Sequence, residues 1–271
     1  MDFVCVNGRL VSGNQPVLTA QNRGFKYGDG VFETMKIYKG QIRLAALHFE
    51  RLFLSLKLLQ IHPAFDQEQL GTYIRELCER NGCSQLGRVR LAVYRTDQNA
   101  AGFIIEALPL TEETNSWNNK GYVIDLHPYV RKAQDAFANL KSANFLPYVL
   151  ADLHAKEKGF DDCVVLNGAN RICDTSKANI FLIKNREVFT PALHQGCVNG
   201  VMRRFLIDEI KKMGYRVHQE ELSETDLLEA EEVFLTNAVY GLRWVSTFKK
   251  QTYAHNLSAA IYEQVIAALY K

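Results

Sequence analysis

Lys141 stands where a lysine can become a nucleophile. It lies in the sequence Leu140-Lys141-Ser142, at the end of a loop and directly before a mostly apolar helical pattern. A lysine that enters a core region has a lowered pKa, and its neutral amine can attack an aldehyde. The alternative is a lysine whose stem packs on the surface while its amine stays in water, which is the commoner situation. The pattern alone leaves both interpretations open.

Arg51 combines a permanent positive charge with apolar neighbours. In the predicted helix Leu44–Leu59 it shares one face with four other residues, all of them leucine. These are Leu44, Leu47, Leu54 and Leu58. A guanidinium in such a stripe is costly unless it meets an anion, which could be a protein carboxylate or a phosphate. We favour phosphate, because the planar guanidinium group of arginine matches its geometry.

Two glycine-containing segments could bring the backbone close to a ligand. Asn22–Thr34 (NRGFKYGDGVFET) is rich in glycine and aspartate and precedes a strand pattern. Gly196–Arg203 (GCVNGVMR) places a glycine turn at the start of a predicted helix, where unpaired N–H groups can bind an anion. Each segment could equally be an ordinary loop or helix start.

The elements that must position these residues fall on two sides of the polar stretch Thr111–Gly121. This stretch predicts a linker between an α+β domain at 1–115 and an α/β domain at 121–271 that contains Lys141. The first part has a hairpin at Asn7-Gly8, strands at Val31–Tyr38, Arg88–Arg95 and Gly102–Leu108, and helices at Leu44–Leu59 and Asp66–Asn81. In the second part, a helix at Ala143–Lys158 has a stripe of Leu146, Leu150 and Leu153, and another helix is predicted at Gly200–Met213. A capping box at Ser223 and Asp226 predicts the start of a short helix, and Asn256 is the predicted cap of the last helix. Short strands are predicted at Tyr122–Leu126, Cys163–Leu166, Asn179–Ile183, Val188–Thr190 and Glu232–Asn237.

Composition excludes several classes of protein. The chain of 271 residues is 47% apolar and 23% charged, and its 32 basic and 30 acidic side chains are well mixed, so we expect no nucleic-acid or membrane partner. No leader pattern and no apolar run of roughly 18–20 residues is present. The six cysteines and seven histidines lack ligand or disulfide spacing. We therefore expect reduced thiols, a cytoplasmic location and no metal.

A series of motifs, covering nearly the whole chain, resembles the class-IV aminotransferases, the fold-type IV enzymes that use pyridoxal 5'-phosphate (PLP). This family includes branched-chain aminotransferases, D-amino-acid transaminases and 4-amino-4-deoxychorismate lyases. The motifs are RGFKYGDGVFET at 23–34, HFERL at 48–52, LKSAN at 140–144, ICDTSKANIF at 172–181, TPALHQGCVNGVMRR at 190–204 and FLTNAVYGLRWV at 234–245. The resemblance implies a two-domain α+β fold, D-amino-acid aminotransferase-like, with PLP in the cleft between the domains, an amino substrate and a homodimer.

The resemblance also implies a role for individual residues. Lys141 would hold PLP as a Schiff base and then move protons at the substrate Cα. Arg51, the backbone N–H groups of Val201 and Met202, and the Asn237 side chain would hold the phosphate. Asp174 aligns with a family glutamate that keeps the pyridine nitrogen protonated. Phe32 and Arg90 are the expected substrate contacts.

Several positions depart from parts of the family. Asp174 is one methylene shorter than the glutamate, so its carboxylate must approach more closely or act through water. Phe145 stands where branched-chain enzymes carry a tyrosine, and Thr96–Gly102 lacks the Arg-x-His that D-amino-acid transaminases use to bind a carboxylate. Met202 and the TNA-x-x-G run resemble the lyases, whereas Arg90 matches an arginine of some branched-chain enzymes.

The leading hypothesis is therefore a lyase that converts 4-amino-4-deoxychorismate to 4-aminobenzoate, a folate precursor, and pyruvate. The alternative is an aminotransferase acting on branched-chain or D-amino acids. A third hypothesis, a PLP-binding protein with little activity, rests on the shorter Asp174.

Overall fold

The structure is a computed structural model that describes residues 2–96 and 100–270. The loop predicted at Thr96–Gly102 falls partly on residues 97–99, which lie outside the described residues. The chain forms two compact units. The first contains the residues up to Thr114 together with Lys141–Asn144, and the second contains Asn115–Leu140 and the residues from Phe145 onward.

The first unit is an antiparallel sheet, and its two long helices pack on one core with it. Its strands are β1 (Phe3–Val6), β2 (Arg9–Ser12), β3 (Gly30–Tyr38), β4 (Gln41–Ile42), β5 (Leu86–Arg95) and β6 (Ala101–Pro109), and its helices are α1 (Arg23–Tyr27), α2 (Ala45–Leu58) and α3 (Gln67–Arg80). Within the described residues, the six strands lie in the order β2-β1-β6-β5-β3-β4. A single 3₁₀ turn, Glu112–Asn115, follows β6.

Local sequence explains these elements. The predicted hairpin is confirmed: Asn7 and Gly8 have φ angles of 48° and 84°, as a tight two-residue hairpin turn requires. Asp66 forms a capping box with Gln69 at the start of α3. Because side chains alternate along a strand, β3 directs one set toward the core with α2 and α3 and the other set, including Phe32, toward the opposite face of the sheet.

The second unit is built on a mixed sheet. Its strands are β7 (Tyr122–Lys132), β8 (Asp162–Asn167), β9 (Ile172–Thr175), β10 (Asn179–Lys184), β11 (Glu187–Pro191), β12 (Val217–Glu220), β13 (Glu232–Asn237), β14 (Gly241–Phe248) and β15 (Gln251–Thr252). In the part of the chain that the structure describes, their order is β12-β11-β10-β13-β14-β7-β8-β9, and β15 pairs with β14. The helices are α4 (Leu146–Lys158), α5 (Val201–Lys212), α6 (Glu224–Glu229), α7 (Asn256–Ile261) and α8 (Ala267–Leu269), with a 3₁₀ turn at Leu193–Gln195 and a π-helical turn at Tyr262–Ile266.

Three features of the second unit differ from the sequence predictions. The four-residue strands β9 and β12 were not predicted, because β9 is interrupted by a charged residue and β12 is polar. The last helix begins at Asn256, with His255 rather than Asn256 at the capping position. Helix α4 begins at Leu146, three residues later than predicted, and its leucine stripe is exposed. The predicted capping box of Ser223 and Asp226 is confirmed at α6.

Across 2–96 and 100–270, none of the helices combines the length and the apolar character that crossing a membrane would require.

The buried carboxylate of Glu232 compensates for the missing side-chain cap of α7. It accepts hydrogen bonds from the backbone N–H groups of Leu257 and Ser258, both at 2.8 Å, and from the Ser258 hydroxyl at 2.7 Å. We expect Glu232→Ala to lower the free energy of unfolding by about 2–4 kcal/mol, because these donors lose a charged acceptor. Urea denaturation measures the change. Glu263→Ala, which alters an exposed glutamate in the π-helical turn, should leave stability within about 0.5 kcal/mol of wild type.

Candidate active site

Backbone pairing fixes the segment that carries Lys141. The Phe32 N–H donates to the Lys141 carbonyl at 2.9 Å, and the Ala143 N–H donates to the Gly30 carbonyl at 2.9 Å. Val31 and Ser142 form an antiparallel bridge between these two bonds. The lysine therefore lies against the start of β3 and groups with the first unit, not with residues 121–271 where the sequence placed it.

The Lys141 amine and the Arg90 guanidinium both contact Phe32. The Lys141 Nζ atom and the Arg90 Cζ atom each lie 4.7 Å from the centroid of the Phe32 ring. Arg90 also pairs with Glu106 at 3.5 Å, and both of these side chains are about one-third exposed. An aromatic ring attracts cations through its negative face. The structure thus brings together three of the predicted residues and leaves the arginine accessible to a carboxylate.

Arg51 is buried and meets an anion that the sequence analysis did not identify. Its Nε and Nη2 atoms donate to the two carboxylate oxygens of Glu33 at 2.7 and 2.6 Å. The His48 Nδ1 atom lies 2.6 Å from the same carboxylate. Glu33 and His48 are fully buried as well. Arg51 therefore belongs to a buried charge cluster, and its predicted role toward a phosphate stays a prediction.

The leucine stripe around Arg51 was wrongly interpreted as an apolar environment. Leu54 and Leu58 on that stripe are 53% and 49% exposed. The buried face of α2 instead includes His48, Leu52 and Leu56, and Arg51 lies at its border. The helix turns this face toward β3, and for that reason Arg51 reaches Glu33 on the core-facing side of the strand.

Opposite effects act on the pKa of Glu33. Burial by itself would raise it, but the charge of Arg51 and the hydrogen bonds from His48 and Arg51 outweigh burial and lower the pKa to about 2. Glu33 is therefore ionised at every physiological pH. An ionised, bidentate partner fixes the direction of the Arg51 guanidinium.

In the second unit, Asp174 is buried on β9 and held by donors. Its Oδ2 atom accepts hydrogen bonds from the Tyr148 hydroxyl and the Val198 N–H, both at 2.9 Å. Burial, followed by the charge of Asp174, raises the pKa of Tyr148 well above its ordinary value, so the phenol stays protonated and donates. Tyr148 thus positions the carboxylate of Asp174.

Lys132 adds a buried cation to this group. Its Nζ atom lies 3.8 Å from the Asp174 Oδ2 atom and 5.0 Å from the centroid of the Tyr148 ring. It has no hydrogen-bond partner among residues 2–96 and 100–270. The Lys132 amine is therefore a positively charged neighbour of the Asp174 carboxylate.

The start of α5 provides backbone donors for an anion. Val201 and Met202 are its first two residues, and Gly200 precedes them as the capping residue. In the described chain, no side chain caps this helix start, and its first turn contains no acidic residue. A Cβ atom on Gly200 would lie 1.9 Å from the Asn179 Oδ1 atom, so a larger residue here would displace the Asn179 side chain. The N–H groups of the first turn carry the positive end of the helix dipole.

Asn237 stabilises the turn at the end of β13. Its Oδ1 atom accepts hydrogen bonds from the N–H groups of Val239 and Tyr240 at 3.0 and 3.1 Å, and its Nδ2 atom donates to the Lys177 carbonyl at 3.2 Å. These bonds hold the turn into β14. A role of this side chain toward a phosphate stays a prediction.

Sequence reasoning missed four residues that shape these groups. They are Glu33, His48, Lys132 and Tyr148. For Glu33 a signal was available, because it lies two residues from each of the core residues Val31 and Met35 on β3. This spacing places all three side chains on one face of the strand and so predicts a buried acid. The contacts of the others are set by pairings between distant segments, which no local pattern reveals.

A family model described as "Amino-transferase class IV" matches residues 30–248. The chain is 32% identical to an aminodeoxychorismate lyase of Vibrio harveyi over 235 residues, which cover 83% of this chain and 85% of that protein. It is 27% identical to a D-alanine aminotransferase of Listeria innocua over 242 residues, covering 86% and 83% of the two chains. Its fold matches a branched-chain amino acid aminotransferase of Escherichia coli with a TM-score of 0.89 at 19% identity, covering 100% and 94%.

The chain therefore belongs to the class-IV aminotransferase family and has the two-sheet α+β fold of fold-type IV. The recognition made from the sequence motifs is confirmed. The family depends on PLP, and the protein is an enzyme of the lyase or transaminase type.

The contribution of Glu33 to the free energy of unfolding should depend on pH. Glu33→Gln should lower the free energy of unfolding by about 3–5 kcal/mol at neutral pH, because the Arg51 charge stays buried without its counter-charge. The pKa of Glu33 lies below its ordinary value of 4.5, so its stabilising contribution is complete above that pH and is lost as the pH falls toward about 2. The difference between the two proteins should therefore shrink across this range in urea denaturation.

Glu106→Gln is the matched control, since Glu106 pairs with Arg90 at a partly exposed position. This substitution should cost at most about 1 kcal/mol. A stability gap between Glu33→Gln and wild type that stays constant from neutral pH to pH 2 would contradict the assignment of the ion pair.

Proposed function

We propose that the protein binds PLP and acts as a 4-amino-4-deoxychorismate lyase, releasing 4-aminobenzoate and pyruvate. The observation that carries the proposal is the position of Lys141, whose backbone is paired to β3 and whose amine lies beside Phe32 and Arg90. A nucleophilic amine beside a cation that can bind a carboxylate is what an amino-acid-type substrate requires.

The residues present fit three chemical groups of the cofactor, which are its aldehyde, its phosphate and its pyridine nitrogen. Lys141 offers a primary amine for the aldehyde. The uncapped start of α5, with Val201 and Met202, offers N–H groups for the phosphate, and Arg51 supplies a guanidinium oriented by Glu33. Asp174 offers a buried carboxylate for the pyridine nitrogen, where the family has glutamate. The assignment of both sets of residues to one cofactor is part of the proposal.

PLP, when bound, supplies an electron sink for the electrons of a broken bond at the substrate Cα. Lys141 would hold the cofactor through its amine and would take and return the proton at the substrate Cα. Asp174 favours a protonated pyridine nitrogen, because a carboxylate raises the pKa of a basic nitrogen beside it. Tyr148 and the Val198 N–H donate hydrogen bonds to that carboxylate and keep it in place.

Several features support the lyase over other members of the family. Phe145 lacks the phenol of the branched-chain enzymes, Thr96–Gly102 lacks the Arg-x-His of D-amino-acid transaminases, and Met202 resembles the lyases. The Vibrio harveyi relative is named for the lyase reaction. The proposed substrate carries carboxylates, one of which would pair with Arg90.

An aminotransferase is the second candidate, and Arg90 favours it. The position of this arginine resembles that of a carboxylate-binding arginine in branched-chain enzymes, and its guanidinium lies 4.7 Å from the Phe32 ring that Lys141 also contacts. The Listeria innocua relative is named as a D-alanine aminotransferase. In an aminotransferase Lys141 would move the Cα proton of the substrate without loss of pyruvate.

Product analysis tests the proposed function. The purified enzyme with 4-amino-4-deoxychorismate should release 4-aminobenzoate and pyruvate in equal amounts. Arg90→Ala should lower kcat/KM about tenfold to a hundredfold, because one charge-assisted hydrogen bond contributes roughly 1.5–3 kcal/mol. Chromatography of the products gives the rates.

Arg80→Ala, which removes an exposed arginine at the end of α3, is the control and should leave kcat/KM unchanged. A panel of L- and D-amino acids with 2-oxoglutarate completes the test. Transfer of amino groups within this panel, without formation of 4-aminobenzoate from the lyase substrate, would overturn the lyase in favour of the aminotransferase.

A further inference from the structure

A row of three cations crosses the sheet of the first unit on the face that carries Phe32. Lys36 on β3 lies directly opposite Arg88 on β5. On the other side of β3, the Arg43 N–H donates to the Lys36 carbonyl at 2.9 Å, which continues the register of β3 with β4. Residues paired across neighbouring strands project their side chains to the same face of a sheet. Because Lys36 follows Phe32 by four residues on β3, this cation row lies on the Phe32 face.

The cation row is poorly compensated by the protein itself. In the described chain, the half-buried side chain of Arg88 makes no hydrogen bond and no ion pair. The Arg43 Nε atom is buried and has no hydrogen-bond partner among residues 2–96 and 100–270, and the Arg43 Cζ atom lies 5.1 Å from the centroid of the Tyr38 ring. Like charges directly opposite each other destabilise a sheet, and a partly desolvated cation without an anion costs free energy as well. An anion from outside the chain would remove both costs.

Arg88 lies next to the residues that we assign to the substrate. Arg90 is two residues further along β5 on the same face, so the two Cα atoms are about 6.5–7 Å apart. The Arg90 Cζ atom and the Lys141 Nζ atom each lie 4.7 Å from the centroid of the Phe32 ring. From the Phe32 ring along the face of the sheet, Arg90 therefore comes first and Arg88 second.

Two arginines in this arrangement suit a ligand with two carboxylates. The products 4-aminobenzoate and pyruvate each carry one carboxylate, so the substrate of the lyase carries two. In the alternative reaction, the amino-group acceptor 2-oxoglutarate also carries two. Arg90 already pairs with Glu106 at 3.5 Å, whereas Arg88 has its full charge available for a second carboxylate.

We propose that Arg88 binds the second carboxylate of a dicarboxylate substrate whose first carboxylate pairs with Arg90. Lys36 and Arg43 add positive potential on either side of β3. The inference rests on the proposed function, because it takes Lys141 and Arg90 as the substrate site, but it holds for the lyase and for the aminotransferase. Arg88 then determines specificity, since it separates ligands with two carboxylates from ligands with one.

Two matched ligands test this assignment without turnover. 2-Oxoglutarate and 2-oxopentanoate have the same carbon chain, and only the first has a second carboxylate. In calorimetric titration of the enzyme with PLP bound, 2-oxoglutarate should bind about tenfold to a hundredfold more tightly, because it gains a charge-assisted hydrogen bond. Arg88→Met should remove this preference and leave the affinity for 2-oxopentanoate unchanged. Arg88→Lys keeps the charge and should retain part of the preference.

Arg9→Met is the matched control. Arg9 is exposed on β2, and the register through β5, β6 and β1 places it on the Phe32 face of the same sheet, four strands and about 19 Å from β3. This variant should leave both affinities unchanged, and circular dichroism should confirm that every variant is folded.

Three results would overturn the inference: a wild type without the preference, an unchanged preference in Arg88→Met, or an equal loss of affinity for both ligands in that variant. The proposed function is tested separately, because these titrations need no reaction. Loss of the preference in Arg88→Met of an enzyme that forms no 4-aminobenzoate would support the assignment of Arg88 and overturn only the lyase.

Discussion

The short backbone pairing between β3 and the Lys141 segment is the constraint on which the rest of the first unit's candidate site depends. Two hydrogen bonds and one bridge hold residues 141–143 against Gly30–Phe32. Because the pairing uses backbone atoms, it is compatible with the contact of the Lys141 amine with the Phe32 ring. The strand register fixes which residues meet there: β5 places Arg90 opposite Thr34, two positions along from Phe32 on the same face.

Buried acids determine how the neighbouring cations are directed. Glu33 binds Arg51 through both carboxylate oxygens, and Asp174 collects the Tyr148 hydroxyl, the Val198 N–H and the nearby charge of Lys132. Burying charged groups costs free energy, and apolar residues in the same place often give equal or greater stability. Their value here is geometric, since each cluster holds one charged group in a fixed direction.

The sequence predicted most of the elements and the family, because those depend on local patterns and on motifs that stay in order. The turn at Asn7-Gly8 and the capping box at α6 are local signals, and both are confirmed. The environment of Arg51 was not predicted, because Glu33 lies 18 residues away and only the packing of α2 on β3 joins them. The leucine stripe of α4 predicted a helix but not which face of that helix is buried. Tyr148 and two alanines pack on the sheet and so determine the buried face.

The proposed function requires that Lys141, and no other lysine, forms the covalent bond with the cofactor. Borohydride reduction of the protein loaded with PLP, followed by digestion and mass spectrometry, tests this directly. We expect a phosphopyridoxyl group on the peptide that contains Lys141, and we expect this group to be absent in Lys141→Ala. Lys132 is the informative competitor, because its amine is buried beside Asp174. An adduct on Lys132 or any other lysine of the wild-type protein, with Lys141 unmodified, would contradict the account.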